Sequence, residues 1–367
     1  MSEQVFQAET GRFYCPIEAA VHPRVGEVAE RALRWMTRMG LGADDRQRLR
    51  AMAANGAEFY GRITPLGSDE RLSIAADWIY WAGFFDDTRC DEDETSGRAD
   101  GFTALSARLL RMLETMDPRL AAGDPCLLAL HDLATRFQAC ATPVQMNRWV
   151  EAHRKWLFGV VQRRSLAARD AMPDLDDYLT MRLHDAAGAP ITSMIEIVAG
   201  LEVPAWEMDS PRVRAISELA AMIGALDNDR ISRFKEAHGD TEEQNLLRVL
   251  VAARGYSPAE ALAEIVTLRD RMMCLFLRLR DQESPLGSPA LRRYLADLGH
   301  MIRGHIDWSF TTARYRALYT AAGTRSGTVD LSMDWADEPA DGLLEAPPLP
   351  SIAWWWSQLA APPSLSA

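Results

Sequence analysis

The chain lacks what would tie it to a membrane, a secretory route or a disulfide framework. Its five cysteines, Cys15, Cys90, Cys126, Cys140 and Cys274, are odd in number and none stands in CxxC spacing. This excludes a disulfide scaffold or a cysteine zinc site and predicts reduced thiols in a cytoplasmic protein. No apolar run reaches the roughly 18 residues of a membrane span, and no charged-then-apolar leader opens the sequence. Strand-length alternation at period two, internal repeats and extended low-complexity tracts are missing as well. Positive charge is also scarce: 40 Lys and Arg stand against 52 Asp and Glu, a formal charge of −12. That balance argues against nucleic acid and anionic membranes as partners. No Ser/His/Asp pattern for nucleophilic catalysis stands out.

What is present is helical periodicity. From Pro23 to Met39, Val25, Val28, Ala29, Ala32, Leu33, Trp35 and Met36 recur at helical spacing, and Gly40 ends the run. Further helices are expected near 44–60, 70–87, 99–116, 125–139, 144–167, 174–200, 212–238, 241–254, 257–281 and 288–318, with Pro and Gly marking the breaks. An all-α, single-domain fold follows, a helical bundle around a central cavity. Residues 1–320 form this domain. Residues 321–367, acidic and then Pro-rich before Trp354-Trp355-Trp356, read as a partly disordered extension.

The most informative stretch is Asp227-Asn-Asp-Arg-Ile-Ser-Arg-Phe-Lys-Glu236. Two steps of four place Asn228, Ser232 and Glu236 within about 80° of one another on a helix. An amide oxygen, a hydroxyl and a carboxylate on one stripe suit a hard cation such as Mg²⁺. On its own, the triplet is equally the polar face of an ordinary helix.

A second cluster begins where the aromatic run Trp78-Ile-Tyr-Trp-Ala-Gly-Phe-Phe85 meets Asp86-Asp-Thr-Arg-Cys-Asp91. On an unbroken α-helix Asp86 and Asp91 would point about 140° apart. The helix is therefore expected to fray near Thr88, letting a later carboxylate swing back. A solvated acidic loop is the plainer alternative.

Together the two clusters resemble the metal-binding motifs of bacterial class I terpene synthases. Asp86, Asp87 and Asp91 match the longer DDxxxD form of the aspartate-rich motif. Asn228, Asp229, Ser232 and Glu236 match NDxxSxxxE at every defining position, with Lys235 just before the Glu. Arg182, 46 residues before Asn228, stands where the family has its diphosphate-sensing arginine. Asp185 fits the linker position, and Ala186 stands at the effector position, where glycine is common and the backbone carbonyl acts. Trp308-Ser-Phe-Thr-Thr-Ala-Arg-Tyr315 looks like the closing segment, with Arg314 and Tyr315 on the diphosphate and Trp308 lining the cavity.

The resemblance implies a terpene cyclase, a lyase that ionises an all-trans prenyl diphosphate with three Mg²⁺ and guides the carbocation to a cyclic product. Asp86, Asp87, Asp91, Asn228, Ser232 and Glu236 would hold metal. Arg182, Lys235, Arg314 and Tyr315 would hold diphosphate. Leaving-group charge grows in the transition state, so cations fixed beside it stabilise that state selectively. A dry cavity with aromatic faces protects the carbocation. Gly83 and Ala82 precede Asp86 by one turn, and Gly224 and Ala225 precede Asn228 likewise. They are read either as cavity room for a C20 chain or as tight helix packing. Family members of this length favour farnesyl diphosphate and a sesquiterpene, with a diterpene synthase on geranylgeranyl diphosphate as the alternative. A chain-elongating prenyltransferase and a non-catalytic helical module are the remaining rivals. The resemblance admits a homodimer.

Overall fold

The computed structural model describes residues 4–41, 52–91, 99–236, 245–319 and 325–360. Helices dominate it, as the periodicity predicts. The first six long helices are α1 (Val25–Arg38), α2 (Gly56–Ile63), α3 (Asp69–Phe85), α4 (Ala99–Thr115), α5 (Pro125–Gln138) and α6 (Pro143–Ala167). Next come α7 (Leu175–Asp185), α8 (Gly188–Ala199), the short α9 (Ala205–Met208), α10 (Pro211–Glu236) and α11 (Leu246–Arg254). The last are α12 (Pro258–Glu283), α13 (Pro289–Thr311), the single turn α14 (Ala313–Arg316) and α15 (Pro350–Ser357). The expected helices near 44–60 and 241–254 begin outside the described residues.

Local chemistry explains where these helices start. The side chains of Ser68, Asp124, Thr142, Asp174, Asn245, Ser257 and Ser288 each accept a hydrogen bond from a first-turn N–H. Proline follows four of them directly, at 125, 143, 258 and 289, where its missing N–H costs nothing.

The chain divides into two compact units. One comprises Ala20–Ala171 and Ala189–Glu202. Its core is aromatic: Trp78, Trp81, Trp149 and Trp156 are all buried around His153. Trp78 Nε1 donates to His153 Nε2 at 2.9 Å, and His153 Nδ1 lies 2.8 Å from the Trp149 carbonyl oxygen. Burial pushes this imidazole down to about 4, so it packs as a neutral ring. Helix α3 is buried nearly all round, which fits its run of apolar and aromatic residues.

The other unit comprises Met1–Ala19, Met172–Gly188 and Val203–Ala367. Helix α10 packs against α12 and α13. A buried ion pair joins α10 to α12, with Arg269 donating to both carboxylate oxygens of Asp227. Arg230 also pairs with Asp227, donates to the carbonyls of Thr10 and Arg12, and lies over the Phe13 ring at 3.9 Å. The N-terminal segment is thus fastened to the back of α10.

Short strands depart from the strand-free reading. β1 (Gln4–Ala8) pairs in parallel with β4 (Arg325–Leu331), which pairs antiparallel with β3 (Ala317–Tyr319). β2 (Phe13–Tyr14) pairs in parallel with β5 (Trp335–Ala336). β1 with β4 and β2 with β5 join the two ends of the chain, pairings between partners too far apart in sequence for local periodicity to report. Trp355 in α15 is fully buried, and its Nε1 donates to Glu218 of α10 at 2.9 Å. Ser351 donates to Asp176 in the first turn of α7 at 2.6 Å. Among the described residues no helix is long and apolar enough to cross a membrane.

Candidate active site

Tyr178, Arg182 and Asp185 share one side of α7, since steps of four and three return to the same face. Tyr178 and Arg182 turn toward α10. Arg182 Nη1 donates to Asp185 Oδ1 at 3.1 Å, while Nη2 reaches Asn228 Oδ1 at 3.0 Å and Asp229 Oδ1 at 2.7 Å. Burial alone would push this guanidinium down, but the charges of Asp229 and then Asp185 outweigh it. They hold Arg182 well above its ordinary value and fully charged. Tyr178 donates to Asp229 Oδ2 at 2.6 Å, and burial followed by the Asp229 charge holds that hydroxyl in its neutral, donating form. The backbone N–H of Leu246 also donates to Asp229 Oδ2, at 3.2 Å. Asp229 thus accepts from three donors and serves as an anchor for α7.

Asn228 has both ends of its amide in use: Oδ1 accepts from Arg182, and Nδ2 donates to Tyr315 Oη at 2.8 Å. Ser232 is buried one turn further along α10. Lys235 and Glu236 lie in the last turn of α10, but their side chains are outside the described residues. Tyr315, buried on α14, meets the ring of Trp308 edge-on at 5.7 Å. Trp308 is buried too, with His305 tilted against it at 6.0 Å. Burial pushes His305 down to about 4, and it faces the cluster as a neutral imidazole. Arg314 is half-buried beside Tyr315 in the same turn. Arg182, Asp185, Asn228, Tyr315 and Trp308, scattered through the sequence, are therefore brought together.

The expected helix over 174–200 breaks after Asp185. Ala186 keeps an ordinary backbone, φ −74°, and it is Ala187 that enters the left-handed region at φ +57°. An alanine there carries strain that glycine would not. Gly188 follows, and a Cβ on it would sit 2.6 Å from Ala221 Cβ of α10.

The acidic motif belongs to the other unit. The chain does not fray at Thr88: Asp86–Asp91 forms a π-helical turn continuing α3. Asp86 and Asp87 are half-buried, and Asp86 Oδ1 lies 3.8 Å from Arg163 of α6. Arg164 Nη1 donates to the carbonyls of Arg89 and Cys90 at 3.1 and 2.6 Å. The side chain of Asp91 lies outside the described residues. Sequence reasoning missed Tyr178, Arg163 and Arg164. Tyr178 precedes Arg182 by one turn and could have been found; nothing in the sequence pairs α6 with the acidic motif.

Gly83 and Gly224 both border open space. A Cβ on either would meet no described atom within 4 Å, although Gly224 is buried. Tight helix packing therefore does not explain these small residues.

The donor set fits a hard divalent cation. Asn228 and Ser232 present amide and hydroxyl oxygens one turn apart, and the Asn228 oxygen keeps a second lone pair. Two carboxylates, Asp185 and Asp229, flank these oxygens and pair with the Arg182 guanidinium.

Known proteins carry the same architecture. Residues 77–274 match the family described as terpene synthase family 2, C-terminal metal binding. The chain is 38% identical to spiroviolene synthase of Streptomyces violens, over 94% of this chain and 95% of that one. It is 35% identical to a (+)-T-muurolol synthase of Streptomyces clavuligerus, over 94% and 81% respectively. The crystal structure of the SVS_A2 protein from ancestral sequence reconstruction superposes with a TM-score of 0.85 at 40% identity, covering 95% of this chain and 99% of that one. Family match, relatives and fold agree with the clustered Arg182, Asn228 and Tyr315: the chain belongs to the bacterial terpene synthases, lyases that act on prenyl diphosphates.

Proposed function

We propose that the enzyme ionises an all-trans prenyl diphosphate with Mg²⁺ bound, and that its substrate is the C20 geranylgeranyl diphosphate. The observation that carries the ionisation is the cluster in which Arg182, Asn228 and Tyr315 are linked by hydrogen bonds. Asn228, Ser232 and Glu236 on α10 would hold Mg²⁺, as would Asp86, Asp87 and Asp91 in the acidic motif. Bound there, the metal supplies Lewis acidity toward the leaving diphosphate.

The chain's own groups do the rest. Arg182, kept charged by its two carboxylates, offers a guanidinium to the departing oxygens, with Lys235, Arg314 and Tyr315 as further donors. Asp185 fixes the Arg182 side chain and Asp229 ties it to α10, so little reorganisation is needed when charge develops. The Ala186 carbonyl, next to the strained Ala187, is placed where the helix gives way. Trp308 presents an aromatic face that stabilises a carbocation and excludes water.

Chain length turns on Gly224. The relatives include both a farnesyl diphosphate cyclase and a diterpene cyclase, so they do not choose between C15 and C20. The open space beside buried Gly224 favours the longer chain over the farnesyl substrate expected from family members of this length.

Separate incubations with geranyl, farnesyl and geranylgeranyl diphosphate, extracted and analysed by gas chromatography with mass detection, test this. A cyclic C20 product should dominate, and Gly224→Phe should suppress it while sparing any C15 product. A wild type that converts only farnesyl diphosphate would refute the chain-length assignment.

A further inference from the structure

We propose that Asp227 is a positioning residue for the metal-binding stripe of α10: pinned between Arg230 and Arg269, it sets the rotation of the helix and so aims Asn228 at Arg182. The proposal rests on the terpene synthase reading of that stripe. Successive helical residues turn by about 100°, so Arg230 points about 160° away from both Asn228 and Ser232. Asp227 points about 100° from Asn228 and about 140° from Ser232, toward the same rear side. The oxygens presented in front are carried by a helix that is gripped from behind.

That grip is fully engaged. Asp227, Arg230 and Arg269 have no solvent exposure. Asp227 Oδ1 accepts from Arg230 Nη1 at 3.1 Å and from Arg269 Nε at 3.0 Å, and Oδ2 accepts from Arg269 Nη2 at 3.0 Å. The N-terminal segment takes up further donors through its backbone. Arg230 Nε donates to the Thr10 carbonyl at 2.8 Å and Nη2 to the Arg12 carbonyl at 2.7 Å. Arg269 Nη1 donates to the Tyr14 carbonyl and to Asp270. Gly11 lets the chain pass this close: its φ is +70°, and a Cβ there would lie 2.9 Å from Val266 and 3.3 Å from Arg230 Nη2. Turning α10 about its axis would pull a buried carboxylate off both guanidinium groups, and a buried charge left unpaired is costly. Asp229, about 100° to the other side of Asn228, is held toward α7 by Tyr178 and Arg182. Asn228 therefore stands between two anchored carboxylates. Arg212, in the first turn of α10, makes a second buried pair with α12 through Glu283 at 3.3 Å. It joins the same two helices at the end remote from the stripe.

Calorimetric titration of Mg²⁺ into enzyme with inorganic pyrophosphate tests this without turnover. Asp227→Asn keeps the size of the side chain and removes its charge. It should raise the Mg²⁺ needed for half-saturation by about 10-fold or more, the usual cost of losing an outer-shell support. Arg269→Lys keeps the charge but not the two-pronged fit, and should give a smaller rise in the same direction. Arg212→Met should lower the unfolding temperature and leave the titration as in wild type. The proposal is overturned if Asp227→Asn titrates as wild type, or if Arg212→Met shifts the titration as far as Asp227→Asn does. Should Asp227→Asn fail to fold, Arg269→Lys decides, and a wild-type titration there overturns the proposal. A wild type that binds no pyrophosphate with Mg²⁺, with Asn228→Ala indistinguishable from it, would instead overturn the underlying reading of the site.

Discussion

Arg182 keeps its charge in a buried setting because Asp185, Asn228 and Asp229 surround it, and each of those is fixed in turn. His153 solves the opposite problem by giving up its charge. Its folded value near 4 lies below the 6.5 of an exposed imidazole. Between those values the unfolded chain takes up a proton that the folded chain refuses. Stability conferred by the neutral ring is thus complete above about 6.5 and lost as pH falls toward 4. Thermal unfolding of wild type and His153→Gln across pH 4–7 checks this: the wild-type advantage should shrink as pH drops. An advantage independent of pH would contradict it. At this scale the placing of Asn228 and Ser232 on one stripe was legible, because they stand one helical turn apart. The role of Asp229 was not, since a motif's spelling does not show which oxygens are already engaged.

Among the elements, the junction of α7 and α8 shows where periodicity runs out. Residues 174–200 read as one helix although Gly188 and Pro190 stand just past the break. At the break Gly188 lies close against Ala221 of α10. Gly→Ala within a helix ordinarily stabilises. At 188 the new Cβ would meet Ala221 at 2.6 Å, so Gly188→Ala should cost about 1–3 kcal/mol by overpacking. Chemical denaturation should show that loss, and adding Ala221→Gly should restore most of it. A stabilised single variant would contradict the close approach. The π-helical turn escaped the sequence reading for a related reason. The five-residue spacing signalled that an α-helix could not continue, but frayed chain and a wider turn satisfy that signal equally.

For the molecule as a whole, helix class and most helix positions followed from apolar spacing and capping residues. The contribution of residues 325–360 did not, because it depends on pairings across nearly the full chain. β4 lies against β1, and Trp355 reaches Glu218. Trp355→Ala should therefore cost about 3–5 kcal/mol in denaturant unfolding, and Trp354→Ala, which is only half-buried, clearly less. Equal, small effects would show that this segment does not support the helices beneath it. The central claim is that oxygen donors on α10 and a charged Arg182 drive metal-dependent loss of diphosphate. Diphosphate release from geranylgeranyl and farnesyl diphosphates, followed across a Mg²⁺ titration, tests it most directly. Wild type should release diphosphate only with Mg²⁺, and Asn228→Ala and Arg182→Met should each lose about 100-fold or more. Release that persists in chelator, or survives both substitutions unchanged, would contradict the account.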